Sequence, residues 1–259
     1  MTSRRKTALV TGGRRGIGRG IALSLAEAGF DILILDLEHD ESAEQTLTML
    51  RELGGKAYFM AGDLADVSSH AALADTVFAT LGTLDCLVNN AGISVRQRGD
   101  LLEVSPESFD TVLGVNLRGT FFLTQAIANR MAKEVRDVNS PARTIINVSS
   151  FNATGISIDR GEYCISKAGI ATLSKLFAVR LAPLGIGVFE VRPGIIHSDM
   201  TTVAQEKYDR LIENGLTPIA RWGEPSDVGR AVVGLASGLF GFSLGDVIHV
   251  DGGLHIPRL

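Results

Sequence analysis

The chain has 259 residues, a mass of 27.5 kDa and 45% hydrophobic residues, enough to bury one full core, and it reads as a single domain. A formal net charge of -4 and a pI near 5.8 argue against a nucleic-acid partner, which would call for a basic field. No run approaches a membrane span, and the start, MTSRRKTALVTGG, passes into a strand without a signal-type apolar region, so no membrane partner is expected and the cytoplasm is the expected location.

Short apolar runs alternate with helical patterns along the chain. The runs fall at 7–11, 31–36, 56–61, 84–89, 144–149, 187–192 and 246–251, and seven such strands point to a parallel sheet covered on both faces. Between them Ile17, Ile21 and Leu25 keep one helical face, as do Leu47, Leu50 and Leu53, and glycines 29, 54 and 82 close those helices. Pro106 and Pro225 stand where a first helical turn accepts proline, and a further helix is expected over 162–184. The least regular stretches are 94–104, 134–143 and 197–222, the last including His197, Met200 and Tyr208. Cys86 and Cys164 are isolated thiols, which fits a reducing compartment and packing positions rather than a disulfide framework.

Chemistry is written most clearly in YCISK. Tyr163 and Lys167 are four residues apart on the expected helix, so they share a face, and an ammonium beside a phenol favours the phenolate. Ser150, thirteen residues upstream, can hydrogen-bond a substrate oxygen while Tyr163 gives or takes its proton, which describes alcohol and carbonyl interconversion. An exposed Tyr/Lys pair is the plain alternative. Gly12, Gly16 and Gly18 directly follow a strand and open a helix, where bare backbone and free N–H groups suit a pyrophosphate. Asp36 ends the second strand, placed to accept hydrogen bonds from the adenosine ribose hydroxyls, which favours NAD(H). Arg15, an exposed cation in the glycine loop, can offset part of that preference, so NADP(H) stays possible. A carboxylate about 4 Å from a phosphate charge is repelled by roughly 4 kcal/mol at an effective dielectric near 20, whereas an exposed ion pair returns about 0 to 1 kcal/mol. Ser150 lies in VSSFN rather than GxSxG, which argues against a serine hydrolase, and the five histidines are scattered without ligand spacing, so no metal is expected.

TGGRRGIG at 11–18, the DL pair Asp63 and Leu64, NNAG at 89–92, Asn116 in VNL, VSS ending at Ser150, YCISK and RPG at 192–194 occur in that order. With them the chain resembles the short-chain dehydrogenase/reductase family from about residue 5 to 253. The resemblance implies an α/β fold: one Rossmann domain with a doubly wound, seven-stranded parallel sheet in the order 3-2-1-4-5-6-7, helices on both faces and a substrate lid at about 197–222. It implies a catalytic tetrad of Asn116, Ser150, Tyr163 and Lys167, in which Asn116 holds a water that links Lys167 to bulk proton exchange. It also implies cofactor contacts at Gly12, Arg15, Gly16, Ile17, Gly18, Asp36, Asp63, Leu64, Asn90, Ala91 and Gly92, then at Tyr163, Lys167, Pro193, Gly194 and Ser198. Ser198 replaces the threonine of the family's PGxxxT and keeps the hydroxyl.

An NAD(P)-dependent oxidoreductase of small-molecule secondary alcohols and ketones follows from the resemblance, 3-oxoacyl-reductase-like in the first instance. Arg130, Lys133 and Arg136 would offer a basic patch to an acidic acyl carrier. A catabolic sugar or polyol dehydrogenase is the alternative within the class. A non-catalytic dinucleotide sensor or scaffold is the alternative outside it, which a degraded tetrad would mark. Substrate contacts are expected from Ser94, Arg96, Arg98, Phe151, Asn152, Arg160, Glu162 and the stretch 197–208. Apolar residues on several sides of the helices carrying Asn116 and Tyr163, such as Phe121, Phe122, Leu173, Leu176, Phe177 and Leu181, fit the two-fold interface of a homotetramer, with the tail DGGLHIPRL at its second contact.

Overall fold

The computed structural model describes residues 4–134, 142–198 and 205–258. Met200, Arg136 and most of the stretch 134–143 lie outside the described residues. Strand β1 (Lys6–Thr11), helix α1 (Gly16–Glu27), β2 (Phe30–Asp36), α2 (Glu41–Glu52), β3 (Ala57–Ala61), α3 (His70–Leu81) and β4 (Cys86–Asn89) form the first half. The second half comprises α4 (Pro106–Leu113), α5 (Thr120–Met131), β5 (Arg143–Val148), α6 (Gly161–Leu181), β6 (Ile186–Pro193), α7 (Gln205–Glu213), α8 (Pro225–Ala236) and β7 (Val247–Val250). The seven strands pair in parallel in the order 3-2-1-4-5-6-7, the expected Rossmann sheet.

Both faces are covered, which is why the central strands read as unbroken apolar runs. Along β1 the side chains alternate. Ala8 and Val10 join Ile32, Ile34, Ile21, Leu25 and Val232 on one face, and Leu9 joins Leu33, Leu87, Ile145, Leu123 and Leu181 on the other. β1 pairs with β2 on one side and β4 on the other, so the sheet order reverses there and a crevice opens beyond the strand ends.

Element boundaries differ from expectation where side chains intervene. The run 84–89 becomes strand only at Cys86, because the buried Asp85 carboxylate takes the Thr7 backbone N–H at 2.9 Å and the Arg4 guanidinium at 2.7 and 2.8 Å. The helix expected to reach 184 ends at Leu181 in a 3₁₀ turn containing Pro183, which has no N–H to continue the ladder. The stretch 197–222 is less irregular than it reads, since it contains α7.

Candidate functional site

One cavity of about 540 Å³ runs along the carboxyl ends of the strands. Every expected cofactor contact lines it, together with Ser150, Tyr163 and Lys167 of the tetrad. Asn116 stands behind its wall and is 1% exposed.

The dinucleotide end is built by close backbone approach. A Cβ on Gly18 would lie 1.9 Å from the Gly12 carbonyl oxygen and 2.6 Å from Asn90 Nδ2, so only glycine fits. Asn90 holds the loop by donating to Thr11 O at 3.0 Å and Gly12 O at 3.1 Å, and its own N–H reaches Thr11 Oγ1 at 3.0 Å. The α1 N-terminus has no acidic residue in its first turn and no side-chain cap, so its first N–H groups and positive dipole end face the cavity mouth. Asp63 lines the cavity while its Oδ1 takes the Ala65 N–H at 2.8 Å. Ser198 crosses toward the glycine loop, its Cβ 3.7 Å from where a Gly16 side chain would begin. These residues fit a dinucleotide: a glycine cradle that side chains would fill, helix N–H groups for phosphates, and a carboxylate at the ribose end.

Beside Asp36 stands a cation that the sequence reading did not single out. The cation against its carboxylate is Arg14, with Nε 3.3 Å from Asp36 Oδ1, and Arg14 also pairs with Asp40. Arg15 is the exposed N-cap of α1 and lines the cavity nearby. Asp36 is fixed further by the backbone N–H groups of Arg14 at 3.2 Å and Leu37 at 2.8 Å.

At the other end, α6 presents Tyr163 and Lys167 one turn apart. Lys167 Nζ donates to Val148 O at 3.2 Å and lies 5.6 Å from the Tyr163 ring centroid. Ser150 Oγ accepts the Asn152 N–H at 3.1 Å, which leaves its own hydroxyl proton to donate into the cavity. Ser149 is turned inward instead, buried and donating to Glu190, itself paired with Arg192. This separates the structural serine from the one facing substrate.

Asn116 is tied into the fold by its own side chain. Its Nδ2 donates to Ile93 O at 2.9 Å and Ser166 Oγ at 3.0 Å, and its Oδ1 accepts the Ile93 N–H at 2.8 Å, so much of the side chain is spent tying β4's loop to α6. A Cβ on Gly92 would lie 3.1 Å from Asn116 Oδ1 and 3.5 Å from Lys167 Nζ, so both side chains border the glycine. Residues Gly114–Gly119 form a π-helical stretch, a break in period that recurs at functional sites.

The cavity is further walled by Phe151, Asn152, Ser157, Arg160 and Arg98, and by Tyr208 of α7 and Leu216. Ser94, Arg96 and Glu162 line an adjoining cavity instead. His197 stacks on Trp222 with centroids 4.6 Å apart, and Trp222 Nε1 donates to Asp209 at 2.6 Å, so α7 is pinned over the site. Leu254 also lines the cavity, a contact the sequence did not announce. It comes from a tail fastened to the segment after α7: Ile219 N donates to Gly252 O at 3.0 Å, and Arg258 Nη2 to Leu216 O at 2.8 Å. His255 of this tail stacks on His249 of β7, 3.8 Å away and beside Asp251, a grouping their spacing did not reveal. Both cysteines are buried, and burial pushes the Cys86 thiol up to about 12, so it stays protonated.

Residues 12–255 match the family model described as enoyl-(acyl carrier protein) reductase. A 3-oxoacyl-[acyl-carrier-protein] reductase of Staphylococcus aureus is 36% identical over 253 residues, 97% of this chain and 98% of that protein. The crystal structure of a 3-oxoacyl-[acyl-carrier protein] reductase from Brucella melitensis in complex with NAD is 52% identical, covers 100% of both chains and superposes with a TM-score of 0.94. A solved structure from Agrobacterium tumefaciens, given as a candidate 2-deoxy-D-gluconate 3-dehydrogenase with bound NADP, is 33% identical over 96% of both chains with a TM-score of 0.84.

Proposed function

The chain belongs to the short-chain dehydrogenase/reductase family and is an oxidoreductase of CH–OH groups with a nicotinamide cofactor, and from that membership we propose that Tyr163, Lys167, Ser150 and Asn116 carry its chemistry. The observation that supports this assignment is the convergence of a free Ser150 hydroxyl, Tyr163 and the Lys167 ammonium at one end of the cavity whose other end fits a dinucleotide. Ser150 donates to the substrate oxygen. Tyr163 is general acid in reduction and general base in oxidation. Lys167 stabilises the phenolate and reaches a nicotinamide ribose, and Asn116 orders the ammonium's surroundings. The bound dinucleotide supplies the hydride acceptor or donor.

NAD(H) is the preferred cofactor, on the strength of Asp36 at the ribose end. The substrate is a secondary alcohol or its ketone, 3-oxoacyl-reductase-like, as the Staphylococcus and Brucella relatives suggest. A sugar or sugar-acid dehydrogenase is the second reading, favoured by the Agrobacterium relative and by the arginines on the substrate side of the cavity. The assembly is a homotetramer, supported by the exposed Ile165, Leu176 and Val179 on α6 and Leu239 and Phe242 beyond α8, apolar surface that a second copy would cover. A panel of 3-oxoacyl thioesters, hydroxy acids, polyols and simple secondary alcohols, read at 340 nm with each nicotinamide cofactor, tests the reading. Turnover with at least one class and a higher kcat/KM with NAD(H) are expected. Absence of turnover with every class would leave the sensor alternative.

A further inference from the structure

We propose that Arg160 binds a carboxylate carried by the substrate itself, close to the reacting carbon, so that the chain acts on a compact hydroxy or oxo acid rather than on a neutral alcohol or a thioester. The inference rests on the alcohol–ketone reading above and, of its two substrate readings, takes the acid one in place of the 3-oxoacyl thioester. Charge is divided along the cavity. Its lining carboxylates, Asp36 and Asp63, stand at and just beyond the ends of β2 and β3 in the dinucleotide half, while around Tyr163 the charged lining side chains are Arg98, Arg160 and Lys167. Lys167 is held by Val148 O, and Arg98 faces Asp159 at 3.3 Å. Arg160 differs from both. Among the described residues it has no ion pair; its Nη2 donates to Asn152 Oδ1 at 2.7 Å, and its Nε is buried with no hydrogen-bond partner.

The position is built rather than incidental. Asn152 is 4% exposed and is itself pinned by donating to Gly155 O at 3.0 Å and Ser157 Oγ at 3.1 Å, so it fixes the guanidinium plane. The Arg160 guanidinium carbon lies over the Tyr163 ring, 5.2 Å from its centroid, so the charge stands next to the residue assigned the proton transfer. Of the two acids flanking it in sequence, Asp159 faces Arg98, and Glu162 is turned to Ser108 Oγ at 2.7 Å and lines the adjoining cavity. A guanidinium carries five N–H donors in a planar fork that matches a carboxylate, and the Arg160 hydrogen bond to Asn152 engages Nη2 alone. A phosphate dianion would call for a second uncommitted cation, and Arg98 and Lys167 are both engaged.

Wild type, Arg160→Gln and Arg160→Lys would be assayed with NAD⁺ on matched pairs: 3-hydroxybutyrate against its methyl ester, gluconate against sorbitol, and glycerol 3-phosphate against glycerol. In at least one carboxylate pair the wild type should favour the acid, and Arg160→Gln should lower the acid-to-neutral ratio of kcat/KM by ~10- to 100-fold, mostly through KM, the range for a hydrogen bond to a charged group. Arg160→Lys should restore part of it. NADH binding and the melting temperature check that each variant is folded; if Arg160→Gln does not fold, the wild-type pair preference and Arg160→Lys still decide. A wild type that favours the neutral or phosphorylated member, or a variant that lowers both members of a pair equally, would overturn the proposal while leaving the oxidoreductase reading intact. No turnover on these pairs or on the wider panel would instead remove the reading beneath it.

Discussion

Asp36 and Arg14 set opposing electrostatic effects on one ribose. The carboxylate repels a 2′-phosphate by roughly 4 kcal/mol per charge at 4 Å and an effective dielectric near 20. Arg14 can offset part of this, but its guanidinium is shared between Asp36 and Asp40, and turning to a phosphate would uncover both. Asp36→Ser should therefore release Arg14 and lower the NAD-to-NADP ratio of kcat/KM by ~10-fold or more, a step of about 1.4 kcal/mol, with both cofactors measured on one substrate. An unchanged ratio would show that Asp36 does not govern the choice. Asp36 was legible because a strand end followed by polar residues marks the place. Arg14 was not: two arginines stand between the glycines, and which one folds back toward β2 depends on the path of the glycine loop, which spacing does not encode. Arg160 was legible as a pocket residue, but its lack of an ion pair appears only once Asp159 and Glu162 are seen to face elsewhere.

At the level of elements, α8 begins with a reciprocal cap in which the Asp227 side chain takes the Glu224 backbone N–H at 2.8 Å. Hydrogen bonds from Arg221 are the chief reason that the Asp227 carboxyl is held down at about 2, below its ordinary 3.8. A carboxyl depressed in the folded state stabilises the fold above its unfolded value, and the contribution disappears as pH falls from about 4 through about 2. Asp227→Asn should thus lower the urea midpoint at pH 6 and show a smaller further drop between pH 4 and pH 2 than the wild type; an equal drop would mean that the cap carries no acid sensitivity. Helix starts such as this one were legible from proline at the first turn. The π-helical stretch at 114–119 was not. A Cβ on Gly169 would lie 2.7 Å from Leu117 Cδ2, so the change of period there coincides with close packing against α6, and tertiary contact leaves no mark in local periodicity. Helix α7 was missed for a related reason: its long polar face hides the apolar one that Trp222 and the cavity engage.

For the molecule as a whole, the seven apolar runs gave the number of strands and the covered parallel sheet, while their spatial order came from the family resemblance, since periodicity does not specify which strands are neighbours. The tail's attachment to the segment after α7 lay beyond the sequence, because its bonds are mostly to backbone carbonyls and any residue supplies those. Assembly belongs to this scale. Light scattering at micromolar concentration should give about four times the 27.5 kDa chain mass, and a stable, active monomer would mean that the exposed apolar residues on α6 serve another purpose. Proton transfer by Tyr163 at one end of a dinucleotide cavity underlies everything proposed for the site, and Tyr163→Phe removes the phenol oxygen alone. With the best substrate of the panel, the variant should lose turnover by ~100-fold or more while binding NADH and melting as the wild type does; turnover within a few-fold of the wild type would contradict the claim.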